Sequence, residues 1–432
     1  MFSSFGRLAA ISVLIGCVGL AGCGQAPTEA PQAAAPTPTP GPKSATANSF
    51  DEVTAQLDPG GDFYLYLSTA QWLSKLDEGI NGLHDTVMST GPVAEADAED
   101  RDKAERGFAA FKDAVKKSGL EDISGIGASV FAVSPDVRRT KVFVHHYPDK
   151  GSGLIWSIEG GEPHALTGLD FLPADTGWGS IGDFDLARLI NFLRQEATQS
   201  GIPEAQQAVT QWQTQFAGIT GLQLDDVLAS LSGTLGMVLT LDATNTVTIP
   251  IQNQPQTMPA PRVAILLGVK NDLIFKQVDK MAGGNPGVIK VDEPDLKMRT
   301  MPLPFFPGAN LRPTVAQWNG FLVIASDDKL VRDMVAVLKG APGYKSTPQY
   351  AELSEGLPEQ GNTVCVMSRR FADALNRMQQ NMFANKPGMQ PAQAAMMQQW
   401  MAKLRRSADA FAVGMNLPNG RLVVSQYSRT AK

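Results

Sequence analysis

The sequence predicts an α+β fold made of repeated strand-helix-helix-strand-strand units, forming mainly antiparallel sheet covered on one side by helices. Three observations predict it. Segments 57–68 (LDPGGDFYLYLS), 172–183 (LPADTGWGSIGD) and 357–368 (LPEQGNTVCVMS) align without gaps. Apolar residues at helical spacing follow each segment. Each copy then closes on two β-rich runs: GASVFAV and TKVFVHHY, TLGMVLTL and VAILLGV, AFAVGMNL and RLVVSQYS. Such an alternation favours antiparallel sheet over a doubly wound parallel one.

Within each segment a Leu and a nearby Pro lead through a turn into a strand ending on Ser68, Asp183 or Ser368. These residues read as helix N-caps, because their side-chain oxygens can accept from free first-turn amides. The first helix is clearest in Leu186, Leu189, Ile190 and Leu193, and in Phe371, Leu375, Met378 and Met382. A second is expected over 93–117, 203–216 and 391–406, with Pro203 and Pro391 suited to a first helical turn that needs no amide hydrogen. Short turns, SPDVRR and PNG, make hairpins of the first and third strand pairs. In the second pair, a Pro-rich connection over 242–262 takes the place of a tight turn.

A different module spans 271–345. DLIFKQVDKMAGG reads as a helix stopped by Gly283 and Gly284, and GVIKV, KMRTM, TVAQW and GFLVIAS as short strands. SDDKLVRDMVAVLKG places Leu330, Val331, Met334, Val335 and Leu338 on one helix face, between a Ser326 or Asp327 cap and Gly340. The expected organisation is therefore a signal (1–22), a tether (23–49), a first repeat (50–170), a second (171–270), the inserted module (271–345) and a third repeat (346–432).

Residues 8–22 form an apolar run preceded by Arg7, as in a secretory signal, and too short for a stable membrane span. The run ends in Leu20-Ala21-Gly22-Cys23, which resembles the lipobox of bacterial lipoproteins. The resemblance implies a lipidated Cys23 as the mature N-terminus, firm membrane attachment, and, with Gly24 rather than Asp following, the outer membrane facing the periplasm. Leu14-Ile15-Gly16-Cys17 has the same spacing, but cleavage there leaves a shorter apolar region. Residues 24–49 carry six prolines and no large apolar side chain, so they read as a polyproline-like tether. With Cys17 removed and Cys23 lipidated, only Cys365 remains, in an apolar run that predicts a buried thiol.

The formal charge of −6, and of −7 without residues 1–22, combines with the lack of a basic cluster to argue against nucleic acid as a partner. Gly177, Gly179 and Gly182 spell G-x-G-x-x-G, but the alignment places them on Asp62, Tyr64 and Leu67, and on Asn362, Val364 and Met367. They are therefore strand positions, and Asp183 and Asp185 would repel a phosphate. His84, His145, His146 and His164 show no metal-ligand spacing, and GWGSIG lacks the glycine of a nucleophile elbow. No cofactor or metal is expected, and no catalytic residue is assigned. Asp225-Asp226 and Asp327-Asp328 suit helix starts, while Asp292, Glu293 and Asp295 around Pro294 suit a turn.

Two features point to binding. Met378, Met382, Met389, Met396, Met397 and Met401 form a Met-rich helix pair, able to pack in a core or to line an adaptable groove. The connection over 301–313, MPLPFFPGANLRP, offers Phe305 and Phe306 as apolar contacts. Candidate contact residues are thus Phe305, Phe306, Met397 and Met401. LPADT, LDDVLASLSG, PRVAILLGVKN and NGFLVIASDDKLVRDMV together resemble an uncharacterised family of bacterial envelope proteins carrying a domain of unknown function, a likeness over roughly 172–378. The expectation is a non-catalytic, membrane-anchored envelope lipoprotein acting as a binding or scaffolding module of unknown specificity, with an envelope protein or an apolar ligand as its partner. The alternative is a periplasmic carrier or chaperone of apolar ligands such as lipid or hydrophobic polypeptide, and a hydrolase with a dispersed site is a distant third.

Overall fold

The computed structural model describes residues 49–69, 75–251, 254–302, 312–374 and 408–428. The fold is α+β. In chain order the strands are β1 (Phe63–Ser68), β2 (Ile123–Ala132), β3 (Val137–His146), β4 (His164–Ala165), β5 (Thr176–Asp183), β6 (Leu231–Ile251), β7 (Gln254–Val269), β8 (Ile289–Glu293), β9 (Leu296–Thr300), β10 (Thr314–Trp318), β11 (Phe321–Ala325), β12 (Gln360–Gly361), β13 (Thr363–Met367), β14 (Ala410–Leu417) and β15 (Gly420–Ser428). Thirteen of them form one sheet in the order β1-β2-β3-β15-β14-β13-β5-β6-β7-β11-β10-β9-β8, while β4 and β12 pair separately. All pairings are antiparallel. Each repeat supplies one three-stranded meander, and the inserted module supplies four strands beyond the second.

The helices are α1 (Phe50–Thr54), α2 (Leu76–Ser89), α3 (Gly91–Ala94), α4 (Ala98–Ser118), α5 (Leu154–Ser157), α6 (Leu186–Gln199), α7 (Pro203–Thr220), α8 (Leu224–Ser230), α9 (Leu273–Ala282), α10 (Asp328–Leu338) and α11 (Pro348–Ser354). They cover both faces of the sheet, not one side alone as the sequence predicts. Successive strand residues point to opposite faces, and Leu266 and Leu267 show the consequence. Leu266 joins the large core with Val53 next to α1's end, Leu330 and Met334 of α10, and Leu353 of α11. Leu267 joins a second core with Ile190 of α6, Phe216 of α7, Leu228 of α8 and Phe275 of α9. Strands apolar on both faces need cover on both.

Helix starts depart in part from the expected caps. Ser368 does cap, accepting from the amide of Phe371, and Asp327 caps α10 through the amide of Leu330. Asp183 does not cap α6. Asp185 does, accepting from the Arg188 amide at 2.9 Å, because Asp183 is still in the sheet. Ser68 is likewise not the cap of α2, which begins at Leu76 after Lys75. The 242–262 connection is also regular: β6 and β7 continue past the sheet as a two-stranded ribbon from Thr246 opposite Pro259 to Ile251 opposite Gln254, after an irregularity beyond Asp242. Among the described residues no helix is long and apolar enough to cross a membrane.

Candidate functional site

Cys23, Phe305, Phe306, Met397 and Met401 lie outside the described residues, as does Cys17. Cys365 is buried in β13. Pro294 and Asp295 form the two-residue turn between β8 and β9, while Asp292 on β8 accepts from Arg299 at 2.9 Å. The three glycines lie in β5, where a Cβ on Gly182 would sit 2.5 Å from the Asn362 carbonyl oxygen. Glycine is needed there for close strand packing.

Two of the four histidines, His145 and His146, end β3. His145 faces inward and is 2% exposed, with Nε2 2.8 Å from Glu52 on α1 and Nδ1 against the Ser124 hydroxyl. A carboxylate only accepts, so the imidazole donates from Nε2, and the Ser124 hydroxyl also lies 3.3 Å from the His145 carbonyl, to which it donates. Asn419 also donates to Glu52 at 3.0 Å, and these two hydrogen bonds hold the Glu52 carboxyl below its ordinary range. Ser124 sits at a bulge in β2 and is 4% exposed. The group fastens α1 to β2, β3 and the β14–β15 turn. His146 is half-buried, its ring stacked 6.3 Å from that of His145 and edge-on against Trp156.

A second polar group joins all three repeats. Glu159 lies 2.9 Å from Arg421, whose Nε donates to Asn416. Asn416 in turn donates to the Glu159 and Gly160 carbonyls. Asn362 donates to Asp183, and His164 lies 3.0 Å from the same carboxylate. Burial raises the Glu159 carboxyl above its ordinary range, with Arg421 opposing and Asp183 reinforcing the shift. Burial works against charge on the His164 ring, but hydrogen bonds to the Ala165 carbonyl and to Asp183 leave its net shift upward. Among the described residues no group of three or more His, Cys, Asp or Glu could hold a metal ion.

The remaining feature is apolar. Met237 on β6 is paired with Ile265 on β7, and Ile265 with Ile324 on β11. These neighbours are 36%, 39% and 44% exposed. Two residues along the same strands and face, Leu267 and Leu322 are enclosed by the core under α8 and α9. On the other flank, Leu239 packs with Trp178, Cys365 and Phe371. The row is therefore an opening between two apolar clusters. Sequence gave no signal for it, because TLGMVLTL and VAILLGV are apolar on both faces and do not reveal where helical cover stops.

Comparison with known proteins adds no relative: no family model, curated protein or solved structure matches this chain.

Proposed function

We propose that this protein is a non-catalytic lipoprotein of the bacterial envelope, anchored through Cys23 and held off the outer membrane by the 24–49 tether. It acts as a binding or scaffolding module, and its contact surface is the Met237–Ile265–Ile324 row. That row is the observation carrying the reading. Single exposed apolar residues are ordinary, whereas adjacent ones across three strands mark a surface for an apolar partner. The polar clusters around His145 and Glu159 are occupied with joining segments of the chain, which fits a rigid platform.

The carrier reading is favoured by one specific feature, the apolar clusters on both flanks of the row, which suit an acyl chain as well as a polypeptide. A photo-crosslinking residue at Ile265 separates the two readings. Adducts to an envelope protein support scaffolding, and adducts to lipid, matched by co-purified lipid in native mass spectrometry, support carriage. Absence of any adduct in cells, with the variant folded and membrane-attached, would overturn the row as the contact surface.

A further inference from the structure

We propose that the protein associates with a second copy of itself along β1, continuing the sheet across a two-fold axis through Leu65. The seams between repeats within the chain supply the rule. Where the third repeat meets the second, β13 lies against β5 with Cys365 opposite Ser180, Met367 opposite Trp178 and Thr363 opposite Gly182. Cys365 and Ser180 are each the ninth residue of their aligned segments. This seam thus pairs a strand with its own equivalent about a local two-fold axis.

The seam between the first and third repeats obeys the same rule. From Tyr64 the pairing runs through Ser129 to Lys141, and from the equivalent Val364 it runs through Val413 to Val424. Lys141 lies opposite Val424. Repeats therefore join like to like, first strand to first strand and third strand to third strand. The third strand of the second repeat, β7, is taken by β11 of the inserted module. Of the first and third strands of the repeats, only β1, the first strand of the first repeat, stands at an end of the sheet, with no strand on its outer side among the described residues.

The compositions of the two sheet edges point the same way. The far edge, β8, reads IKVDE and carries Lys290, Asp292 and Glu293, the kind of charge that discourages edge pairing. β1 reads FYLYLS, with neither charge nor proline, and Tyr64, Leu65 and Leu67 are 42%, 43% and 51% exposed. Its ninth-position residue is Leu65. Pairing two copies by the internal rule sets Leu65 opposite Leu65 of the second copy, and Phe63 opposite its Leu67 twice over. That contact repeats the aromatic-on-aliphatic pair Trp178–Met367, which is already packed at the internal seam.

The test uses the full chain carrying Cys17→Ser and Cys23→Ser, which leaves only the buried Cys365. Sedimentation velocity over about 1–100 µM, a span in which a micromolar dimer titrates, is expected to show a reversible dimer. Leu65→Lys is expected to make it monomeric with an unchanged circular dichroism spectrum. Residues directly opposite across an antiparallel pair are about 4.5–5.5 Å apart at Cα, within disulfide reach. Leu65→Cys should therefore crosslink to itself under mild oxidation. Phe63→Cys, about 13 Å from its symmetry mate four residues along the strand, should not. A monomer throughout the range overturns the proposal. So does a dimer indifferent to Leu65→Lys, or crosslinking as efficient at position 63 as at 65. If Leu65→Lys fails to fold, the two cysteine variants decide.

Discussion

Glu159 and Arg421 lie 2.9 Å apart in the interior and join the segment before β4 to the start of β15. Arg421 also donates to the Ile155 carbonyl and to Asn416, so its guanidinium is fully engaged. Removing one partner of such a pair strands the other charge. Arg421→Met is expected to destabilise the fold by about 3–5 kcal/mol, and the double variant Arg421→Met/Glu159→Gln by clearly less. Denaturant unfolding of these two variants and of Glu159→Gln alone measures the coupling.

The raised Glu159 carboxyl gives a defined pH dependence. A carboxyl with a higher folded than unfolded pKa favours the folded state while protonated. Its contribution is complete below the ordinary carboxylate range and is lost as pH rises through the raised folded value. The stability of the wild type relative to Glu159→Gln should therefore fall as pH rises from the ordinary carboxylate range through the raised folded value. A flat difference would show that the carboxyl titrates alike in both states.

Glu52 contributes differently, because it is exposed at the end of the clamp while His145 is buried. Glu52→Ala should release α1 from β3 with little change in global stability. Hydrogen exchange of residues 50–54 should rise about tenfold, as expected for the loss of roughly 1–1.5 kcal/mol of local hydrogen bonding. Protection of β13 should stay unchanged.

Two glycine substitutions should have opposite signs. At Gly182 a Cβ would meet the Asn362 carbonyl and Thr363, so Gly182→Ala forces the β5–β13 seam apart and should cost about 1–3 kcal/mol. At Gly82, inside α2, a Cβ meets nothing within 4 Å. Gly82→Ala should stabilise by about 0.5–1 kcal/mol. Thermal melts of the two variants provide the measurement.

The anchor is tested by Cys23→Ala, which should abolish palmitate labelling and detergent partitioning in cells. Labelling that persists and disappears only with Cys17→Ala would move the anchor to Cys17.

Sequence alone determined the units of this fold. Segment alignment, helical spacing and paired β-runs act over a few residues and are visible in a linear chain, so the paired strands closing each repeat, a cap at Ser326 or Asp327 and the strand role of the three glycines were legible, while the choice of Asp327 and the docking of each first strand on its pair were not. Asp185 was missed as the α6 cap because strand β5 runs as far as Asp183, and pairing with Asn362 decides that endpoint. The ribbon of β6 and β7 was missed because Pro-rich composition suggests irregular backbone, whereas only pairing between its two arms makes it regular. The polar clusters gather residues far apart in sequence, such as Glu52, Ser124, His145 and Asn419, and no local spacing encodes that meeting.

Tertiary structure decided the order in which the units join. Each repeat specifies its own meander through short-range turns, but which strand edge meets which depends on complementary edges brought together across long loops. The same cause left Met237, Ile265 and Ile324 exposed while Leu267 and Leu322 were enclosed. Along the chain these residues are equally apolar, and only the reach of α8 and α9 over the sheet distinguishes them.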